Sequence, residues 1–135
     1  MARIIDIEGV GPKYKQVLKE KAGITTTEAL LEACATPAQR EDMAAKTGLS
    51  PKLILEWANL ADLFRIKGVG EEYSDLLEEA GVDTVAELAQ RNAENLHAAL
   101  VEVNNRKSLV RRLPTLDQVK DWVAQAKRLP RKLTY

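Results

Sequence analysis

The sequence predicts an all-α protein, on three observations. Apolar residues recur at i, i+3 and i+4 along most of the chain. Hydroxyl residues open these runs, often before a proline, and glycines close several of them. No alternating Val/Ile/Thr run of strand length occurs. With aromatic residues at only 4% of the 135, Leu, Val, Ile and Ala must supply the core.

The elements follow in order. Tyr14, Val17, Leu18 and Ala22 form one helical stripe, and Gly23 stands where a helix ends in a left-handed residue. Thr25 and Glu28 have capping-box spacing and open a second helix that buries Leu30, Leu31 and Cys34. Thr36-Pro37 and Ser50-Pro51 each set an N-cap hydroxyl before a proline at the first helical position. The helix after Thr36 stops at Gly48, and the one after Ser50 aligns Leu53, Ile54, Trp57, Leu60, Ala61 and Phe64. Tyr73, Leu76, Leu77 and Ala80 give a further stripe closed by Gly81, and Thr84 with Glu87 caps a helix containing Leu88. Past the polar break at Arg91-Asn92, Leu96, Ala99, Leu100 and Val103 mark a helix expected to end at Asn104-Asn105. Arg106–Leu113 reads as a short basic segment. Pro114-Thr115 opens a last helix with Leu116, Val119, Trp122, Val123, Ala126 and Leu129; Pro130 ends it, and Arg131–Tyr135 is expected to fray.

The two halves repeat. Ile7-Glu8-Gly9-Val10-Gly11 matches Ile66-Lys67-Gly68-Val69-Gly70, with Tyr14 and Leu18 matching Tyr73 and Leu77 in the same register. Ala22-Gly23-Ile24 matches Ala80-Gly81-Val82, Leu30 matches Leu88, and Trp57 with Ala61 matches Trp122 with Ala126. Four blocks in one order predict two copies of a five-helix unit, residues 1–65 and 66–135, sharing the Ser50–Arg65 helix and packed as one compact bundle. Met1–Asp6 is too short for a lead-in helix, so the helix around Trp122, or a second chain, is expected to fill that place.

A helix, an apolar-Gly-apolar-Gly turn and a second helix resemble the helix-hairpin-helix motif of DNA-binding proteins. Leu63, Phe64, Ile66, Gly68, Val69, Gly70 and Leu77 carry the likeness, with a poorer copy in Ile7, Gly9, Val10, Gly11, Pro12, Lys13 and Leu18. Such a turn aims backbone N–H groups outward at a helix start, where a phosphate oxygen can sit without any base being read. The tandem units, with Ala-Gly-Ile/Val after the hairpin helix and Trp-x-x-x-Ala near each end, also resemble an uncharacterised bacterial family, domain of unknown function 4332, over nearly the whole chain. That resemblance implies a helix-hairpin-helix or SAM-like bundle with a nucleic-acid-binding role.

Charge separates the two turns. Gly11 precedes Pro12-Lys13, then Lys15, Lys19 and Lys21, whereas Gly70 precedes Glu71-Glu72, then Asp75, Glu78 and Glu79. The first turn is therefore the expected phosphate site and the second a structural one. Lys15 stands where many such hairpins have a small residue, and Ser74 holds the equivalent place. The formal net charge is zero, yet residues 71–102 carry 9 acidic side chains against one basic, Arg91, while residues 103–135 carry 9 basic against 2 acidic. Either Arg106, Lys107, Arg111 and Arg112 form a second phosphate surface, joined by Lys127, Arg128, Arg131 and Lys132, or the basic segment lies against the acidic one.

Other chemistries find no motif. Gly9-Val10-Gly11 lacks the third glycine and preceding strand of a dinucleotide fingerprint, and the Walker pattern is absent. Cys34 lies on an apolar stripe as a core thiol, and His97 reads as a surface or capping residue. A single cysteine and a single histidine exclude an internal disulfide and a Cys/His zinc site. No catalytic residue, metal site or cofactor is expected, and no apolar run approaches the ~20 residues of a membrane span. The expected protein is a cytoplasmic, non-catalytic DNA-binding module using Gly9–Lys13, Lys15, Lys67–Gly70 and Arg106–Arg112. The alternative is a protein-interaction adaptor or dimerising scaffold.

Overall fold

The computed structural model describes residues 2–135 and is all-α. Among these residues the secondary structure is a 3-10 turn at Ile4–Asp6 and eight α-helices: α1 Pro12–Ala22, α2 Thr27–Ala33, α3 Pro37–Thr47, α4 Pro51–Leu63, α5 Glu71–Glu79, α6 Val85–Ala89, α7 Ala93–Lys107 and α8 Leu116–Arg128. They fall into two compact units. The first runs to Asp62 and takes in Lys132–Tyr135; the second is Leu63–Arg131. In each, four helices follow the Gly-Val-Gly turn in one order.

Local chemistry sets most helix ends. Thr36 accepts the Gln39 N–H at 3.2 Å while Gln39 takes the Thr36 N–H in return, with Pro37 at the first helical position. Thr115 and Gln118 do the same for α8, and Ser50 accepts the Leu53 N–H for α4. Gly23 and Gly48 close α1 and α3 at φ of 68° and 76°.

Three ends differ from expectation. The cap of α2 is Thr26, which accepts from the Ala29 N–H at 3.1 Å, because the Thr25 carbonyl is already taken by the Ile4 N–H. Thr84 does cap α6 through the Glu87 N–H, but the Glu87 carboxylate reaches one residue further back, to the Asp83 N–H. Helix α7 continues past Asn104-Asn105 to Lys107 and closes on Ser108 at φ 51°. Asn104 does not break it, since its side chain turns outward to accept from the Val110 N–H at 3.0 Å and so orders the following loop.

The first unit's core includes Ile4, Ile7, Val10, Leu18, Leu30, Ile54 and Trp57. The place left by the missing lead-in helix is closed locally: Ile4 donates to Thr25, Thr27 donates to Ala2, and Arg3 forms an isolated bridge with Thr26. The helix around Trp122 has another role, packing as α8 on α6 and α7 within the second unit. Nor does the end of the chain fray. Leu133 is buried and Thr134 donates to the Ala35 carbonyl at 2.9 Å. The buried Arg40 guanidinium bonds the carbonyls of Thr134 at 2.7 Å and Cys34 at 3.0 Å.

The second unit's core gathers Leu63, Ile66, Leu76, Leu77, Leu88, Leu96, Leu100, Val119 and Trp122. Each unit is centred on one aromatic pair: Tyr14 with Trp57 at 5.1 Å between ring centroids, and Tyr73 with Trp122 at 5.2 Å. The residues that recur along the chain thus recur in space.

Candidate nucleic-acid interface

The first Gly-Val-Gly turn is built by two local i→i−3 hydrogen bonds, Ile7 N–H to Ile4 O at 3.2 Å and Val10 N–H to Ile7 O at 3.1 Å. Gly9 takes φ of 90°, a conformation L side chains rarely adopt, and its missing Cβ would lie 3.7 Å from Trp57 Nε1. Val10 is buried and anchors the turn from below. Gly11 then caps α1 in extended backbone with Pro12 as the first helical residue, and the space beside it is open. The amides of Gly9, Gly11, Lys13 and Tyr14 have no hydrogen-bond acceptor among the described residues. Lys13 and Lys15 are exposed beside them. A shallow hollow of about 340 Å³ runs on along α1 between Pro12, Lys15, Gln16 and Lys19. Exposure at Lys15 explains how the first hairpin tolerates a long side chain where Ser74, its counterpart, is fully buried.

The second turn copies the backbone but not the surface. Ile66 N–H meets Leu63 O and Val69 N–H meets Ile66 O, both at 3.1 Å. Gly68 has φ of 97°, and a Cβ there would meet Trp122 Nε1 at 3.2 Å. The Gln125 amide closes this turn from one side, accepting the Lys67 N–H at 2.8 Å and donating to the Lys67 carbonyl at 3.0 Å. In the Trp-x-x-x-Ala register Leu60 holds the equivalent position in the first unit, and the Glu8 N–H has no acceptor among the described residues. Glu71 and Glu72 bring two carboxylates to the first turn of α5, where they suit the helix dipole and repel an anion.

The arginine-rich segment divides. Lys107 ion-pairs with Glu79 of α5, and Arg106 lies 3.9 Å from Glu102, both side chains exposed. Arg111 and Arg112 are exposed, and no ion pair holds either guanidinium among the described residues. The Tyr73 hydroxyl donates to the Arg112 carbonyl at 2.9 Å, tying this loop to α5. Gly9–Lys15 thus belongs to the first unit, and Lys67–Gly70 with Arg106–Arg112 to the second.

Residues 8–129 match the model of a family described as a domain of unknown function, DUF4332. The chain belongs to this family. No solved structure matches this DUF4332 chain.

Four features escaped the sequence. Gln125 and Arg40 act across long separations and leave no local trace. His97 is half-buried and donates from Nε2 to the Pro114 carbonyl at 3.1 Å, pinning the loop before α8. Asp75, Glu78 and Glu79 bring carboxylate oxygens within 4.8 Å of one another, a grouping their i, i+3, i+4 spacing could have flagged. Cys34 is buried as expected: burial pushes its thiol up to about 11, against a smaller opposing pull from Arg40. Among the described residues no helix is long and apolar enough to cross a membrane.

Proposed function

We propose that this DUF4332 chain is a non-catalytic nucleic-acid-binding module that holds the phosphates of DNA with little sequence preference. In this reading its units are tandem helix-hairpin-helix, SAM-like repeats working in the cytoplasm. The observation that carries it is the open bend at Gly9–Tyr14, where four amides without protein acceptors stand beside the exposed ammonium groups of Lys13 and Lys15. Backbone donors at a helix start with lysines at the rim match a phosphate oxygen and read no base edge. Arg111 and Arg112 supply a second contact, while the second turn, with Glu71 and Glu72 at its mouth, serves the fold.

The test is a salt titration of binding to duplex and single-stranded DNA. Affinity falls steeply as salt rises, and Lys13→Glu with Lys15→Glu weakens binding about tenfold or more for every sequence alike. Arg111→Glu with Arg112→Glu weakens it less. Affinity unchanged by both pairs overturns the proposal.

A second reading, a protein-association module, draws on the acidic face of α5, with Glu71, Glu72, Asp75, Glu78 and Glu79 on one helix. A mass that rises with concentration, with no salt-sensitive DNA shift, would select it.

A further inference from the structure

In the first unit the turn between α2 and α3 holds a guest. The helix-free segment Lys132–Tyr135 lies there with Leu133 buried, the Thr134 N–H on the Ala35 carbonyl and the Thr134 carbonyl on Arg40. The Tyr135 hydroxyl reaches Asn59 of α4 at 3.2 Å. Three elements form the seat: the end of α2, the turn that follows, and the second half of α4.

The second unit has the same three elements. Gln90–Asn92 joins α6 to α7 as Cys34–Thr36 joins α2 to α3, with Asn92 capping α7 as Thr36 caps α3. In the Trp-x-x-x-Ala register, Ala126 and Lys127 of α8 stand for Ala61 and Asp62 of α4. At this place lies an open cavity of about 680 Å³, lined by Ala86, Ala89, Arg91, Ala126, Lys127 and Arg131 among others. Counted from the caps, Leu96 takes the place of Arg40 and is fully buried. The fold of a unit therefore does not need an arginine there, and Arg40 serves the guest.

We infer that this cavity is a docking groove for a helix-free peptide segment of a partner protein, with an aliphatic anchor between acidic residues. Val85, Ala86, Ala89, Ala126 and Leu129 give the cavity its apolar part, and the three alanines leave room there for a short aliphatic side chain. The rest of the lining is polar, with Gln90, Arg91, Asn92 and Lys127 in it. The sign comes from the rim. Arg91 is the one basic residue of 71–102; it is half-buried, and its guanidinium has no acceptor among the described residues. Lys127, exposed at the rim, adds a second cation where the register of the first unit has Asp62. A partly desolvated cation is stabilised most by a carboxylate with which it can share hydrogen bonds. The inference stands apart from the phosphate site at Gly9–Lys15, which lies in the other unit.

The experiment uses the full-length chain and two labelled pentapeptides, Glu-Glu-Leu-Thr-Tyr and Arg-Lys-Leu-Thr-Tyr, followed by fluorescence anisotropy and by the backbone amide NMR signals of Gln90–Asn92. The acidic peptide binds, shifts those signals and exceeds the basic peptide in affinity by about tenfold, the contrast opposite charges give at such a rim. Arg91→Glu with Lys127→Glu reverses the preference. Ala86→Phe, which fills the groove and keeps every charge, abolishes binding of both; far-UV circular dichroism establishes that each variant is folded. Lys13→Glu with Lys15→Glu leaves peptide binding unchanged while weakening DNA, which separates this groove from the phosphate site. No binding of the acidic peptide at millimolar concentration, binding indifferent to Ala86→Phe, or shifts at Gln90–Asn92 with a single-stranded oligonucleotide but not with the peptide would each overturn it.

Discussion

The turn at Gly9–Gly11 and the turn at Gly68–Gly70 share a backbone, and in both the amides at the start of the following helix have no acceptor among the described residues. They differ in the charges around those amides and in the Gln125 clamp. Each has a glycine at positive φ against a tryptophan and a buried valine beneath. One then opens onto Pro12, Lys13 and Lys15, while the other is clamped by Gln125 and faces Glu71 and Glu72. A motif defined by glycines and apolar residues fixes how the chain bends. What the bend can bind depends on charges and amide partners the motif does not contain.

The largest expected effect breaks the shared half of this comparison. Trp57 and Trp122 are 1% and 2% exposed, each beside a tyrosine and a positive-φ glycine. Trp57→Ala or Trp122→Ala should each cost about 3–5 kcal/mol, measured by chemical denaturation, because an emptied aromatic site collapses only partly. A cost below about 1 kcal/mol at either position would show that the turns do not depend on the indoles. The next effect sharpens the difference. Gln125→Leu copies Leu60 into the second unit and removes both hydrogen bonds to Lys67, for an expected loss of about 1–2 kcal/mol. It should bring no gain in DNA affinity, since Glu71 and Glu72 remain; a gain would mean that the clamp, not the charge, silences this turn.

Glycine replacement grades the two turns more finely. Gly9→Ala and Gly68→Ala both force an L residue to φ near 90°, at about 1–2 kcal/mol each. Gly68→Ala should cost more, because its Cβ would stand 3.2 Å from Trp122 Nε1, against 3.7 Å from Trp57 at Gly9. Equal losses would place the whole cost in the backbone.

These contrasts show which parts were legible in the sequence. The caps at Thr36, Ser50 and Thr115 could be read because hydroxyl, proline and glutamine act within one helical turn. The repeated Trp and Tyr positions could be read because apolar periodicity reports burial directly. The α2 cap falls at Thr26 rather than Thr25 because three consecutive threonines leave the choice to a bond from Ile4. The Lys132–Tyr135 seat was not legible at all: a short polar end after Pro130 looks unanchored until Arg40, 94 residues away from Thr134, supplies the hydrogen bond. Gln125 was hidden in the same way, 58 residues from Lys67. At the first turn the glycines and lysines gave the bend and its sign, while the lack of amide acceptors needed coordinates.

The smallest effect vanishes at neutral pH and probes the α2–α3 turn, where the two units part company. Cys34 ends α2 in the first unit, and Gln90 ends α6 in the second. Burial holds the Cys34 thiol protonated, raising it from an ordinary 9.0 to about 11, with Arg40 pulling weakly the other way. The unfolded chain therefore releases this proton first. Between pH 9.0 and about 11 the unfolded state binds fewer protons than the native one, so stability must fall as pH rises through that window. Below pH 9.0 both states keep the proton and the contribution is flat. The measurement is the difference between the denaturation profiles of the wild type and Cys34→Ala, which isolates this thiol from every other group. That difference should be constant from pH 6 to 8 and shrink above pH 9, as the wild type alone loses stability to this group. Thiol labelling of the native protein should stay slow over the same span, because Cys34 is fully buried and the Arg40 guanidinium ties its carbonyl to that of Thr134. Fast labelling at pH 8 would mean that the Lys132–Tyr135 segment leaves its seat readily, and that the first unit's groove opens as the second's already does.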